Sequence, residues 1–161
     1  DFDAVLHGAD VAWWLEAVGR AQHVGREVRL GGVPVDLGRP PAVFGCVDPA
    51  CDMAMQESCG PLAPVIVAHG GDEALRFANM GDYGLSSAVA GTDVERATAF
   101  ALKIDAGMTH VNDMTVADER NVPFGGEKNS GLGRFNGEWI LEEMTRTHWT
   151  SVQHEAHPYP F

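Results

Sequence analysis

The sequence predicts an α/β fold, in which short parallel strands alternate with helices in a βαβαβ unit. Three observations carry that expectation. Residues 62–68 are nearly continuous in apolar side chains, as a strand covered on both faces of a parallel sheet would be. Two later stretches, Asp72 to Gly81 and Thr92 to Gly107, hold apolar residues at helical spacing between turn signals. A short β-prone run follows each, Leu85 to Ala90 and Gly107 to Asn112. Strand and helix alternating in this way place parallel strands side by side with the connecting helices packed on the sheet.

Taken in order, Ala9 to Val24 opens the chain as an amphipathic helix, with Val11, Trp14, Leu15, Val18 and Ala21 on one buried stripe. Glu27 to Leu30 alternates briefly before Gly31-Gly32. A Gly/Pro-rich connection through Arg39-Pro40-Pro41 then reaches a second β-like stretch, Ala42 to Val47. The strand from Leu62 to Ala68 has one flaw, Pro64, which lacks a backbone donor. In the next helix Asp72 is suited to the N-cap, Ala74, Leu75, Phe77 and Ala78 to the core face, and Gly81 to a left-handed C-terminal position. Thr92-Asp93-Val94-Glu95 has the form of a capping box, ahead of a helical stripe of Val94, Ala97, Ala101 and Ile104. The polar, glycine-rich stretch from Asp113 to Gly133 is too long for a simple connection and so is functional or tied down by contacts. A helix from Gly137 to Thr145 follows. Thr147 to Gln153 then alternates with the period of a two-faced strand, which needs another edge to pair with.

Composition removes several function classes. With 161 residues, 45% of them of hydrophobic type, the chain can bury one main core. Twenty-three acidic against eleven basic residues leave a formal charge of -12, which repels a polyanion, so nucleic acid is not an expected partner. No apolar run approaches the about 20 residues of a membrane-spanning helix, and the start has no basic region followed by an apolar stretch. A soluble, cytoplasmic protein is expected. Cys46, Cys51 and Cys59 are too few for a disulfide framework, and a reducing compartment suits them. With His148, His154 and His157 they lack the short paired spacing of a zinc site, so no metal is expected. His110, on a predicted strand, reads as a hydrogen-bonded core or rim histidine rather than a proton shuttle.

The densest signal is Pro123-Phe124-Gly125-Gly126-Glu127-Lys128-Asn129-Ser130-Gly131-Leu132-Gly133-Arg134. Its four glycines imply positive φ angles and close backbone approach. It has neither the Gly-Lys-Ser order of a phosphate-binding loop nor the third glycine of a dinucleotide fingerprint, since Asn136 stands there.

This segment resembles the C-terminal signature P-F-G-G-x-K-x-S-G-x-G-R of the aldehyde dehydrogenase family. Glu57-Ser58-Cys59-Gly60-Pro61 is similar to the family's E-x-F-G-P segment, and Ala106-Gly107-Met108 through Asn112 to its A-G-x-x-x-x-N strand. The resemblance covers residues 57–153 firmly. Asn112-Asp113-Met114-Thr115-Val116 and the tail through Tyr159-Pro160-Phe161 look most like benzaldehyde, vanillin and salicylaldehyde dehydrogenases.

The resemblance implies an α/β parallel-sheet catalytic domain of aldehyde dehydrogenase type over residues 1–145, in its C-terminal portion. It also implies a terminal oligomerisation strand and tail over 146–161. The implied activity is NAD(P)-dependent oxidation of an aromatic aldehyde to its acid, within a homo-oligomer or beside a full-length subunit. In the family the glutamate matching Glu57 accepts hydrogen bonds from the nicotinamide ribose hydroxyls, a task for which two carboxylate oxygens suit it. The alternative reading of Glu57 is a solvated loop carboxylate. Phe124 matches an aromatic lining the aldehyde entrance; a core phenylalanine anchoring a glycine-rich loop is the alternative. Lys128 and Arg134 read as loop-fixing residues.

Two departures limit the resemblance. Cys59 stands where the family has Phe and reads as small-residue packing, not as a nucleophile, because nothing beside it would lower its pKa. The family reaction needs a cysteine thiolate in a Gly-Gln-x-Cys context, and no such segment occurs in these residues. The chain alone is therefore expected to be inactive, with no catalytic residue of its own and an exposed apolar face that favours association. Nothing in it reads the ribose 2' position, so NAD and NADP both stay open. The other reading is a non-catalytic truncated homologue acting as an oligomerisation or docking module.

Overall fold

The computed structural model describes residues 41–58, 60–156 and 158, the backbone of Glu27–Leu30, and the helical positions Ala12, Leu15, Glu16 and Gly19. The helix expected over 9–24 otherwise lies outside the described residues, as does Cys59. Leu15, expected on a buried stripe, is exposed within this chain.

The first sheet has three strands: β1 (Glu27–Leu30), β2 (Ala42–Gly45) and β3 (Leu62–Pro64). β1 runs antiparallel to β2 and β3 runs parallel to it, with Ala42 opposite Leu62 and Phe44 opposite Pro64. The expected seven-residue strand is cut to three and is not covered on both faces, since Ala63 and Pro64 are exposed. Pro64 is the physical reason, because a residue with no N–H is tolerated only where a ladder ends or has an open edge. The backbone does follow β2 a little further, through Val65 N–H to Phe44 O (2.8 Å) and Val47 N–H to Val65 O (3.0 Å). Ala42 and Phe44 point to the same face, as period two requires. With Val47 and Met53 of the short helix α1 (Asp52–Met55) they form a buried cluster, flanked by Leu62 and Ile66.

Helix α2 (Gly71–Asn79) starts two residues earlier than a cap at Asp72 would place it. Its N-cap is Gly70 at φ 128°, and Asp72 lies in the first turn. His69 N–H donates to Glu73 Oε2 at 2.7 Å and so holds the Glu73 carboxyl below the usual carboxylate range. The stability this contact supplies is present above the ordinary carboxylate pKa and is lost as pH falls through the lowered value. Ala74, Leu75 and Phe77 are only half-buried and Ala78 is exposed. Gly81 does not take the left-handed conformation, because Met80 closes the helix with α-type dihedrals.

The second half of the predicted βαβαβ unit is present. β5 (Ser86–Val89) lies parallel to β6 (Met108–Val111), with Ser86 opposite Met108 and Val89 opposite Val111. Helix α3 (Val94–Ala101) connects them and buries Ala97 and Ala101, while Val94 is exposed. Its cap is Asp93, whose carboxylate accepts from Arg96 N–H at 3.0 Å, and not Thr92. Asn112, at φ 56°, ends β6 by exchanging two hydrogen bonds with the Gly91 backbone, 2.8 and 2.9 Å. The first half of the unit is not a parallel neighbour pair: β3 pairs with β2 and not with β5. A third pair, β4 (Tyr83–Gly84) with β7 (Glu127–Lys128), is antiparallel. The parallel sheet read from the sequence is thus, among the described residues, three small sheets.

Helix α4 (Trp139–Met144) occupies the centre of the predicted helix. The strand expected over 147–153 forms no ladder in this chain. Residues 141–156 are all exposed, with Trp149 at 89%. A strand exists only through pairing with a neighbour, and no described strand pairs with this segment. No described helix is long and apolar enough to cross a membrane.

Candidate cofactor-side and aldehyde-side site

The segment from Pro123 to Arg134 is a closed loop. Phe124 N–H donates to Phe135 O (2.9 Å) and Phe135 N–H to Phe124 O (2.7 Å), so both roots of the loop are joined by backbone. Inside that bridge the Arg134 guanidinium donates to Gly126 O (3.0 Å) and Gly133 O (2.9 Å), and it pairs with the Glu127 carboxylate. Arg134 N–H meets Glu143 of α4 at 3.2 Å. Lys128 Nζ donates to Asn79 O and Gly81 O, each at 2.9 Å, and lies 3.5 Å from Asp105. Both cations therefore fix the loop, as expected from the sequence.

The four glycines serve two purposes. Gly133 takes φ 72°, the left-handed region, and a Cβ there would also meet the Glu143 carboxylate at 2.5 Å. Gly125 and Gly126 instead admit close neighbours: Gly107 of the incoming strand lies so near that a Cβ on it would overlap the Gly125 backbone. This explains physically why the Ala106-Gly107 step and the Phe124–Gly126 step occur together.

Glu57 leaves the end of α1 exposed, and its carboxylate has no hydrogen-bond or ion-pair partner among the described residues. It lines a cleft of about 570 Å³ with Met55, Phe77, Tyr83, Leu85, Asp105 and Ser130 on its walls. Ser130 belongs to the glycine-rich segment, and its hydroxyl accepts from Gly84 N–H at 2.8 Å. The cleft thus brings Glu57 together with the far end of the loop that carries Phe124. Phe124 itself is half-buried and is not part of the cleft lining. Tyr83, Leu85 and Asp105 are not singled out as site residues by the sequence.

His110 departs from its expectation: Nε2 is buried and has no hydrogen-bond partner. Among the described residues no group of three His, Cys, Asp or Glu side chains could hold a metal ion.

Comparison with known proteins places this geometry. The aldehyde dehydrogenase family model matches residues 1–150. A benzaldehyde dehydrogenase of Bacillus subtilis is 45% identical over 149 residues, which is 89% of this chain and 31% of that protein. A vanillin dehydrogenase of Corynebacterium glutamicum is 43% identical over 151 residues, 92% of this chain and 31% of its own length. The crystal structure of a salicylaldehyde dehydrogenase from Pseudomonas putida G7, complexed with salicylaldehyde, superposes with a TM-score of 0.83 at 34% identity. It covers 91% of this chain, which spans 31% of that one. An NAD-dependent aldehyde dehydrogenase from Sinorhizobium meliloti gives a TM-score of 0.88 at 29% identity, over 98% of this chain and 32% of that one. The chain spans about a third of the length of these relatives, and it belongs to the aldehyde dehydrogenase family.

Proposed function

We propose that this chain supplies the cofactor-side carboxylate and the aldehyde-side aromatic of an NAD(P)-dependent dehydrogenase that oxidises an aromatic aldehyde to its carboxylic acid. One observation carries the reading. Glu57 is an acceptor-only group, exposed and unpaired among the described residues, at a cleft large enough for part of a nucleotide. Two carboxylate oxygens fit two ribose hydroxyls, so the donor chemistry agrees with the cofactor. When bound, the nicotinamide accepts a hydride from the substrate carbon.

Glu57 would hold the ribose and so fix where the nicotinamide is held. Phe124, half-buried on a bridged loop, offers a flat apolar face to an aromatic aldehyde. The names of the relatives acting on benzaldehyde, vanillin and salicylaldehyde support that substrate class. No Gly-Gln-x-Cys occurs in these residues, so the nucleophilic thiolate comes from another part of the enzyme. The same reading assigns residues 146–161 to subunit contact, since residues 146–156 and 158 are exposed and pair with no strand among the described residues.

Glu57→Gln in the full-length polypeptide containing this chain tests the reading. The exchange keeps shape and removes the charge, so KM for NAD(P) is expected to rise on the order of tenfold. KM for the aldehyde should hold. An unchanged cofactor KM in steady-state kinetics would sink the assignment.

A further inference from the structure

We infer that the two cations of the Pro123–Arg134 segment position different halves of the proposed site: Lys128 the cofactor-side cleft, Arg134 the aldehyde-side Phe124. The inference rests on the site reading above and adds two positioning residues to it.

Lys128 reaches away from its own loop. Its ammonium is bound by Asn79 O and Gly81 O at the C-terminal end of α2, where a cation answers unpaired carbonyls, and by Asp105 from the connection after α3. Gly81 and Asp105 line the cleft with Glu57, and Asn129 and Ser130 follow Lys128 directly onto its wall. The Asn79 side chain joins the same two regions, through Nδ2 to Lys103 O (3.0 Å) and Oδ1 from Asp105 N–H (2.9 Å). Three separate stretches of chain therefore meet at one ammonium, and Gly81, Asp105, Asn129 and Ser130 from them line the same cleft as Glu57. Asn79, Gly81 and Asp105 all lie far from the Phe124–Phe135 bridge in sequence.

Arg134 acts the other way. Its partners Gly126 O, Gly133 O and Glu127 all belong to the loop, and the fork crosses that loop just inside the bridge holding Phe124. Gly125, next to Phe124, has room for no Cβ because Gly133 O and the Arg134 side chain fill the space. The Phe124 backbone is thus set by Arg134 from one side and by Phe135 from the other. A planar guanidinium can satisfy two carbonyls and a carboxylate at once, which an ammonium on a flexible stem does not reproduce.

The two roles separate in one experiment. In the chain itself, Lys128→Met should raise amide deuterium uptake over 79–85 and 105–107, and Arg134→Lys over 124–126 and 133–136. In the full-length polypeptide, Lys128→Met should raise KM for NAD(P) and Arg134→Lys the KM for an aromatic aldehyde, each on the order of tenfold with the other KM unchanged. Lys128→Arg, which keeps the charge, should recover most of the cofactor affinity. Glu57→Gln and Phe124→Ala serve as references for the two halves. If they move their own KM while the two cation variants move both together, the positioning roles are overturned. If the references themselves have no effect, the site reading fails instead.

Discussion

Gly107→Ala is expected to destabilise the chain by about 3 kcal/mol, at the upper end of what overpacking costs. The added Cβ would fall on the Gly125 carbonyl and close to Gly126 Cα, which are backbone atoms of a loop bridged at its roots and crossed by Arg134. A flexible side chain could swing aside; this backbone can move only by breaking those contacts. Gly107 also donates to Gly84 O at 2.9 Å, so any shift of the strand away from Gly125 pulls on β4. Urea titration with circular dichroism gives the test, with Gly81→Ala as the control. No atom would meet a Cβ on Gly81, and its φ lies outside the left-handed region. Equal midpoints for the two variants would contradict the close packing of β6 on the glycine-rich loop.

Phe44→Ala should cost about 3–5 kcal/mol, the range for emptying a buried aromatic site. Phe44 is 0% exposed and is the largest fully buried side chain described; Ala42, Val47 and Met53 around it are too few to close the gap. Such a loss is a large share of the 5–15 kcal/mol typical of a folded domain. A thermal melt of this variant is expected to lose cooperativity. Leu132→Ala, at a residue 91% exposed, should leave the melt unchanged. If Phe44→Ala melted like the parent chain, the β2–α1 cluster would not be the core it is described as.

Much of this molecule is legible in local pattern, because local pattern is what helical spacing and turn residues encode. α3, α4, β5 and β6 fall within their predicted ranges, and α2 starts just ahead of its own. Pairing was less legible. Leu62 to Ala68 reads as a long buried strand, yet Pro64 ends its ladder and its partner is β2, an element that precedes it. Capping failed by one residue at Asp93, since Thr92 and Asp93 are both competent acceptors and only the backbone decides which faces the helix. The strand expected at Thr147 finds no partner edge among the described residues.

Glu57 and Phe124 enter the proposed site only through family resemblance, since a lone exposed carboxylate and a loop phenylalanine carry no signal of their own. Tyr83, Leu85 and Asp105 come from segments whose meeting is set by Lys128 and Asn79 through contacts to backbone carbonyls, which leave no mark in a one-dimensional pattern. The glycines lay between these cases. Their density announced a constrained loop, but Gly107 and Gly125 acquire their meaning from each other.

The central claim is that this chain completes a dehydrogenase site without being one. The direct measurement follows nicotinamide reduction with benzaldehyde and NAD(P), using the chain alone and the full-length polypeptide that contains it. The account predicts no turnover by the chain alone and aromatic aldehyde oxidation by the full-length polypeptide, abolished for neither cofactor nor aldehyde by conservative changes outside the site. Turnover by the chain alone, or a full-length polypeptide inert toward aromatic aldehydes, would contradict it.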